Sequence, residues 1–275
     1  MKLKWLGSGS FFSVHGMQCN ILATTGLGRN VLFDCGQDIK FSLKRAGLTY
    51  GQIDAICVTH CHGDHMGGLE TFCHWDYHVL NQRKPKLYAD VEVMDQIRTT
   101  LKAGTRGIQG KVVNLEDYFE VMPMDCNEQY YDPELGIVLE TVQAIHIANG
   151  HGYVPNYGFI FRDNDSSNRV YYTSDTMFAP DTIRTFYGQA DLILQDFEWG
   201  PRSVVHAHAD DLATLPADVK AKMILHHGGD AILQFDECPC GIGHTRCIVK
   251  PEVQQWSLTN GFYGIAYPGM VVDVD

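Results

Sequence analysis

Within nine residues the chain gathers His60, His62, Asp64 and His65, and closes the run with Met66, Gly67 and Gly68. Four metal-binding side chains in six positions are more than a solvated loop needs. Imidazoles and a carboxylate are borderline ligands, suited to zinc and also to manganese or iron. His60 and His62 can grip one ion from alternate positions of an extended segment, while Asp64 and His65 point elsewhere and can hold a second. Two such cations acidify water and clamp the attacking and leaving oxygens of a displacement, so the predicted chemistry is hydrolysis. The glycines let the backbone pass close to the ions.

Further donors lie downstream. His146 and His151 compete for one ligand position. Asp175 follows Thr173 and Ser174, where a turn or cap aspartate is the plain alternative to a ligand. His206 and His208 stand before a helical pattern, and His226 and His227 end an apolar run. His74 and His78, one helical turn apart, are assigned a surface or core-edge role. Cys238, Cys240, His244 and Cys247 offer either a structural zinc site or free thiols, the Cys-x-Cys start being tighter than usual ligand pairs.

The elements that must position these groups are legible as apolar patterns. A buried strand over 55–58 carries the His-rich run at its carboxyl end, where open α/β architectures gather their chemistry, and a helix starts near Leu69. Residues 3–6 read as a first strand ended by Gly7-Ser8-Gly9-Ser10, a turn open to an anion or simply a turn. Residues 20–23 and 30–36 form a hairpin about 25–28, and Ile39, Leu43 and Ala46 mark a helix stopped at Gly47. Strands are predicted at 86–89, 140–147, 169–175, 190–195 and 222–225. Helices carry Val93, Met94, Ile97 and Leu101, and Ile183 and Phe186, the second capped by Asp181. Residues 103–136, weakly periodic, read as loops or short irregular elements, a lid or a dimer contact.

His60-x-His62-x-Asp64-His65 resembles the signature of metallo-β-lactamase fold hydrolases. The resemblance implies an α/β protein of αββα sandwich type, two mixed β-sheets flanked by helices. Leu6-Gly7-Ser8-Gly9-Ser10 is similar to the turn that opens ribonuclease Z and its relatives. Residues 151–160 resemble that branch's third motif, which implies His151 as ligand and His146 as a core or supporting residue. Asp34 resembles the family's buried aspartate bracing the His-rich loop, and Asp175 its bridging carboxylate. By the same resemblance His227, not His226, is the last ligand, and His206 the catalytic acid with His208 in reserve. The implied site places His60, His62 and His151 on one ion and Asp64, His65 and His227 on the other, with Asp175 and a hydroxide between. The ions are two divalent cations, Zn2+ foremost and Mn2+ next. Asp64 also orients the attacking hydroxide, and His206 protonates the departing alkoxide.

The chain also resembles the anti-Pycsar cyclic-nucleotide phosphodiesterases of phages and bacteria. That implies hydrolysis of 3′,5′-cyclic mononucleotides, and a homodimer. Phe12, Tyr153, Tyr157 and Trp199 are then candidates to stack a base. The competing activities are tRNA 3′ endonuclease and metal-dependent hydrolysis of a lactone or thioester.

Composition narrows the choice. The 275 residues break nowhere in character, so one domain over 1–275 is expected. With 21 basic against 33 acidic residues the net charge is −12, which ill suits a long polyanion lacking a local basic patch. The glycine- and proline-rich arm that ribonuclease Z uses for tRNA has no counterpart. A small anionic nucleotide held by metal ions escapes both objections. Nine scattered cysteines and no secretory signal pattern predict free buried thiols in a reducing cytosol. No apolar run approaches the roughly 18 residues that span a bilayer.

Overall fold

The computed structural model describes residues 1–237 and 244–274. Along the chain run β1 (Lys2–Gly7), β2 (Asn20–Thr24), β3 (Asn30–Phe33), β4 (Ala55–Cys57), β5 (Lys86–Asp90), the hairpin β6 (Gly107–Ile108) and β7 (Lys111–Val112), β8 (Glu120–Met124) and β9 (Gln129–Asp132). The second half contributes β10 (Ile137–Gln143), β11 (Tyr157–Asp163), β12 (Val170–Tyr172), β13 (Leu192–Asp196), β14 (Met223–His226), the pair β15 (Leu233–Glu237) and β16 (His244–Val249), β17 (Gly264–Ile265) and β18 (Val271–Asp273).

Two seven-stranded sheets result among the described residues, ordered β18-β1-β2-β3-β4-β5-β8 and β17-β14-β13-β12-β11-β10-β9. Both are mixed. In the first, β3, β4, β5 and β8 run parallel beside an antiparallel β18-β1-β2-β3 stretch. In the second, β12, β13, β14 and β17 run parallel beside antiparallel β9 to β12. The parallel strands inside each sheet, such as β3, β4, β13 and β14, are short, largely apolar runs because both of their faces are covered.

Alternation within each strand sorts side chains between layers. Trp5, Phe33, Tyr88, Phe159, Phe161 and Tyr172 point between the sheets, where the rings of Phe33 and Phe161 stack at 4.1 Å. Their neighbours Leu32, Ile56, Val58 and Leu87 face the helices Ile39–Ala46, Leu69–His78 and Val91–Thr105. Ile160, Tyr171, Ile193 and Leu225 face the helices Pro180–Gln189 and Pro251–Asn260 on the other side. This is the αββα sandwich.

Residues 103–136 differ from expectation. They finish one helix, form the β6–β7 hairpin and then supply β8 and β9, the edge strands of opposite sheets. An edge strand buries little, so it shows no apolar alternation. Pro123 in β8 and the exposed Tyr130 and Tyr131 in β9 hid both. Asp181 lies in the first turn of its helix without a side-chain capping bond, Pro180 taking the first position. Cys238 and Cys240 lie outside the described residues, and Cys247 is a buried free thiol.

Candidate metal centre

The chemistry-bearing residues leave the carboxyl ends of parallel strands in both sheets. Asp34 follows β3, His60 to His65 follow β4, Asp175 follows β12, Asp196 ends β13 and His227 follows β14. His62 opens a short helix, Gly63–Met66, that turns Asp64 and His65 back toward the sheets. Gly68 makes the tight approach possible, since a Cβ there would stand 2.4 Å from the Gly36 carbonyl oxygen.

Three overlapping groups of donors form, each with its ligand atoms within 4.8 Å of one another: His60, His62, His146 and Asp175; Asp64, His65, Asp175 and His227; and Asp175, Asp196, His206 and His227. His60 Nε2 faces His62 Nδ1 at 2.9 Å. Asp175 Oδ2 lies 3.9 Å from His60 Nε2 and 3.7 Å from His146 Nε2. Its Oδ1 lies 3.2 Å from His65 Nε2 and 3.4 Å from His227 Nε2. Asp175 therefore touches both of the first two groups.

The far side of most of these rings is held. His60 Nδ1 meets Thr59 Oγ1 at 3.0 Å, and His65 Nδ1 meets Asp34 Oδ2 at 2.7 Å. His146 Nδ1 is 2.9 Å from the Val205 carbonyl oxygen, and His227 Nδ1 is 3.3 Å from Asp196 Oδ1. A carbonyl can only accept, so His146 donates from Nδ1, and its Nε2 faces the group. Asp34 braces the loop as expected by resemblance, accepting also from the Thr59 backbone N–H at 2.9 Å and the Tyr172 hydroxyl at 2.6 Å. Asp34, Ser174 and His227 all adopt left-handed backbone, φ 61, 59 and 71, strain of the kind that collects at functional sites.

These residues fit divalent cations. Asp64 Oδ1, His65 Nε2 and Asp175 Oδ1 are buried without hydrogen-bond partners, a cost that a shared cation removes. The charges agree. Burial disfavours the protonated form of His65 and His227, yet the surrounding carboxylates outweigh it, holding His65 well above the ordinary range and raising His227 to about 10. Burial would raise Asp64 and Asp175, but the neighbouring imidazoles depress both. His60 and His62 go the other way: burial, then the neighbouring imidazoles, push both below the usual histidine value.

His151, expected as a ligand, is not brought here. Its side chain is exposed, its backbone N–H donates to Asn149 Oδ1 at 3.0 Å, and it joins none of the groups. The reason is local. β10 ends at Gln143, so His146 lies beyond the strand, on a loop docked by the Met177 N–H to the Ile145 carbonyl at 2.7 Å, beside Asp175.

His206 and His208 divide clearly. His206 Nδ1 is 2.8 Å from Asp196 Oδ2, and its side chain is 20% exposed toward the cleft. Burial alone would lower its pKa, but the Asp196 carboxylate raises it above the usual histidine value. His208 caps the helix Ala209–Leu212, its Nδ1 accepting from the Asp210 N–H at 3.2 Å. His226 points away, 3.2 Å from Cys19 Sγ. Asp196, absent from the predicted site, holds both His206 and His227. It closes an apolar strand just as Asp34 and Asp175 follow theirs, and that shared pattern was the available signal.

The donors open into a cleft of about 760 Å³, lined also by Phe11, Phe12, Trp199 and Val205 and, among the described residues, by no lysine or arginine. Tyr157 is buried, its hydroxyl donating to Glu92 Oε2 at 2.7 Å, and Tyr153 is exposed outside the cleft. His74 and His78 stack at 5.9 Å on the helix surface, away from the cleft.

Residues 1–247 match the model of the family described as Anti-Pycsar protein Apyc1. The chain belongs to that family. One relative, the Anti-Pycsar protein Apyc1 of Paenibacillus harenae, is 33% identical over 256 residues, covering 92% of this chain and 98% of the relative. The fold is shared with the metallo-β-lactamase fold protein YhfI from Bacillus subtilis, at TM-score 0.71 and 17% identity over 98% of each chain. A diphosphatase of the PhnP family aligns at TM-score 0.73 and 19% identity, over 100% of this chain and 98% of its own. No helix among the described residues is long and apolar enough to cross a membrane.

Proposed function

We propose that the protein is a dinuclear metal-dependent phosphodiesterase acting on 3′,5′-cyclic mononucleotides. The carrying observation is the pair of donor groups that share Asp175, with the His206–Asp196 pair beside them. His60, His62 and His146 with Asp175 would hold one divalent cation. Asp64, His65 and His227 with Asp175 would hold the second, and zinc or manganese suits both sets. Such a pair, when bound, makes water acidic enough to attack at neutral pH and neutralises the phosphate.

The chain's own groups complete the reaction. Asp64 accepts a hydrogen bond from the attacking water and sets its line of approach. His206, fixed through Nδ1 by Asp196, carries a proton toward the departing ribose oxygen and releases it as the P–O bond breaks. With no lysine or arginine among the described residues of its lining, the cleft would rely on its metal sites and on its histidines to hold an anion. Its volume suits one nucleotide, and the net charge of −12 disfavours a long nucleic acid. The relatives' shared name supports the cyclic-nucleotide class, through the resemblance set out above.

The deciding experiment is turnover of zinc- or manganese-loaded protein on the 3′,5′-cyclic forms of CMP, UMP, AMP and GMP, bis-p-nitrophenyl phosphate, a 3′-extended tRNA precursor and a lactone. Cleavage of cyclic mononucleotides is expected. Cleavage confined to the tRNA precursor or to the lactone would overturn the reading.

A further inference from the structure

We infer that Phe12 and Trp199 form a nucleobase subsite at the mouth of the cleft, and that Asp230 is the positioning residue that holds the Phe12 wall. The identity of the ligand rests on the phosphodiesterase reading; the arrangement of the walls does not.

The segment between β1 and β2 is fastened to the chain just beyond the His227 position at two points. The His227 N–H donates to the Ser8 carbonyl at 2.8 Å. Three residues on, the Asp230 carboxylate accepts from three consecutive backbone N–H groups, Val14 at 2.9 Å, His15 at 3.0 Å and Gly16 at 2.8 Å. Between the fastenings stands the tip carrying Phe11 and Phe12. Gly229 permits the approach: it has φ 70, and a Cβ there would lie 3.2 Å from Ser10 Oγ.

The two phenylalanines do different things. Phe11 folds back on the His-rich loop, its ring edge 3.3 Å from where a Cβ on Gly63 would stand. Phe12 meets Phe11 edge-on at 5.2 Å and is 87% exposed while lining the cleft. Trp199, also in the lining, is backed edge-on by Trp256 at 5.2 Å, and Trp256 stacks on Phe262 at 5.3 Å. One wall is rigid through packing; the other is held by the Asp230 carboxylate together with the His227–Ser8 bond and the backbone bonds Ser8–Gly16 and Gly9–Met17. Ring faces accept any base by stacking, so this subsite would take purines and pyrimidines alike.

The test uses metal-loaded protein and two probes, adenosine 3′,5′-cyclic phosphorothioate and the base-free methyl ribofuranoside 3′,5′-cyclic phosphate, with binding read by calorimetry and KM and kcat read on cyclic AMP. Phe12→Ala and Asp230→Ala are each expected to weaken phosphorothioate binding and raise KM about tenfold, or about 1.4 kcal/mol, with kcat within about threefold. The preference for nucleotide over base-free probe should collapse toward unity. Asp230→Asn, whose one amide oxygen replaces one of the two accepting carboxylate oxygens while its NH2 faces a backbone N–H, should recover part of the loss at most. Because Asp230 acts through Phe12, the double alanine variant should lose no more than Phe12→Ala alone. An unchanged preference ratio, or additive losses, would overturn the subsite. A protein that binds with this pattern but cleaves no phosphodiester would overturn the catalytic reading and leave the subsite standing.

Discussion

His206 and His208 are two residues apart and chemically identical, and their surroundings separate them. Asp196 fixes His206 beside the donor groups, whereas His208 spends its Nδ1 on a helix start. His206→Ala should lower kcat on cyclic nucleotides by about 10²- to 10⁴-fold, the usual contribution of a general acid. His208→Ala should cost about 1 kcal/mol of stability as a lost cap and change kcat less than fivefold; the reverse order in steady-state kinetics would exchange their roles. Asp196→Asn should follow His206→Ala, because an amide no longer stabilises the imidazolium. Residue type and spacing made His60, His62, Asp64 and His65 legible in the sequence. His146 was not, since whether a histidine lies inside a strand or just past its end depends on where pairing with β11 stops.

At the scale of elements, the His-rich loop is set by backbone approach as much as by its ligands. Gly68 packs its Cα side against the Gly36 carbonyl, Ile39 and Cys35, all within 3 Å of any added Cβ. Gly68→Ala should therefore destabilise the protein by about 1–3 kcal/mol, as overpacked sites do, and reduce metal content in step. Urea unfolding with elemental analysis would read both, and unchanged values would show that the loop has slack. Parallel strands such as β4, β13 and β14 could be read from sequence because burial on both faces leaves continuous apolar runs. β8 and β9 could not, because an edge strand is specified by the sheet it joins more than by its own side chains.

Across the whole molecule, the carboxylates of the donor groups should make the metal-free protein sensitive to alkali. His227 is raised from 6.5 to about 10 in the folded state. A raised group contributes stability that is complete below its unfolded value and is lost as pH climbs through its folded value. The chelator-treated protein should lose melting temperature as pH rises from about 7 to about 9, while the loaded protein, its imidazoles deprotonated on metal, should change less. The gap in Tm between the two forms should thus widen with pH. A gap that narrows would mean that cations do not replace these protons.

The first sheet and its loops bring Asp34, His60, His62, Asp64 and His65; the second brings His146, Asp175, Asp196, His206 and His227. Of the three donor groups, only Asp175, Asp196, His206 and His227 come from the second half alone; the other two, which share Asp175, each draw donors from both halves. An ion seated there would act as a staple between the halves and as a gauge of their alignment, since a slip of a few ångströms between the sheets would scatter the ligands. Correct docking and the capacity to bind metal are in this sense a single event.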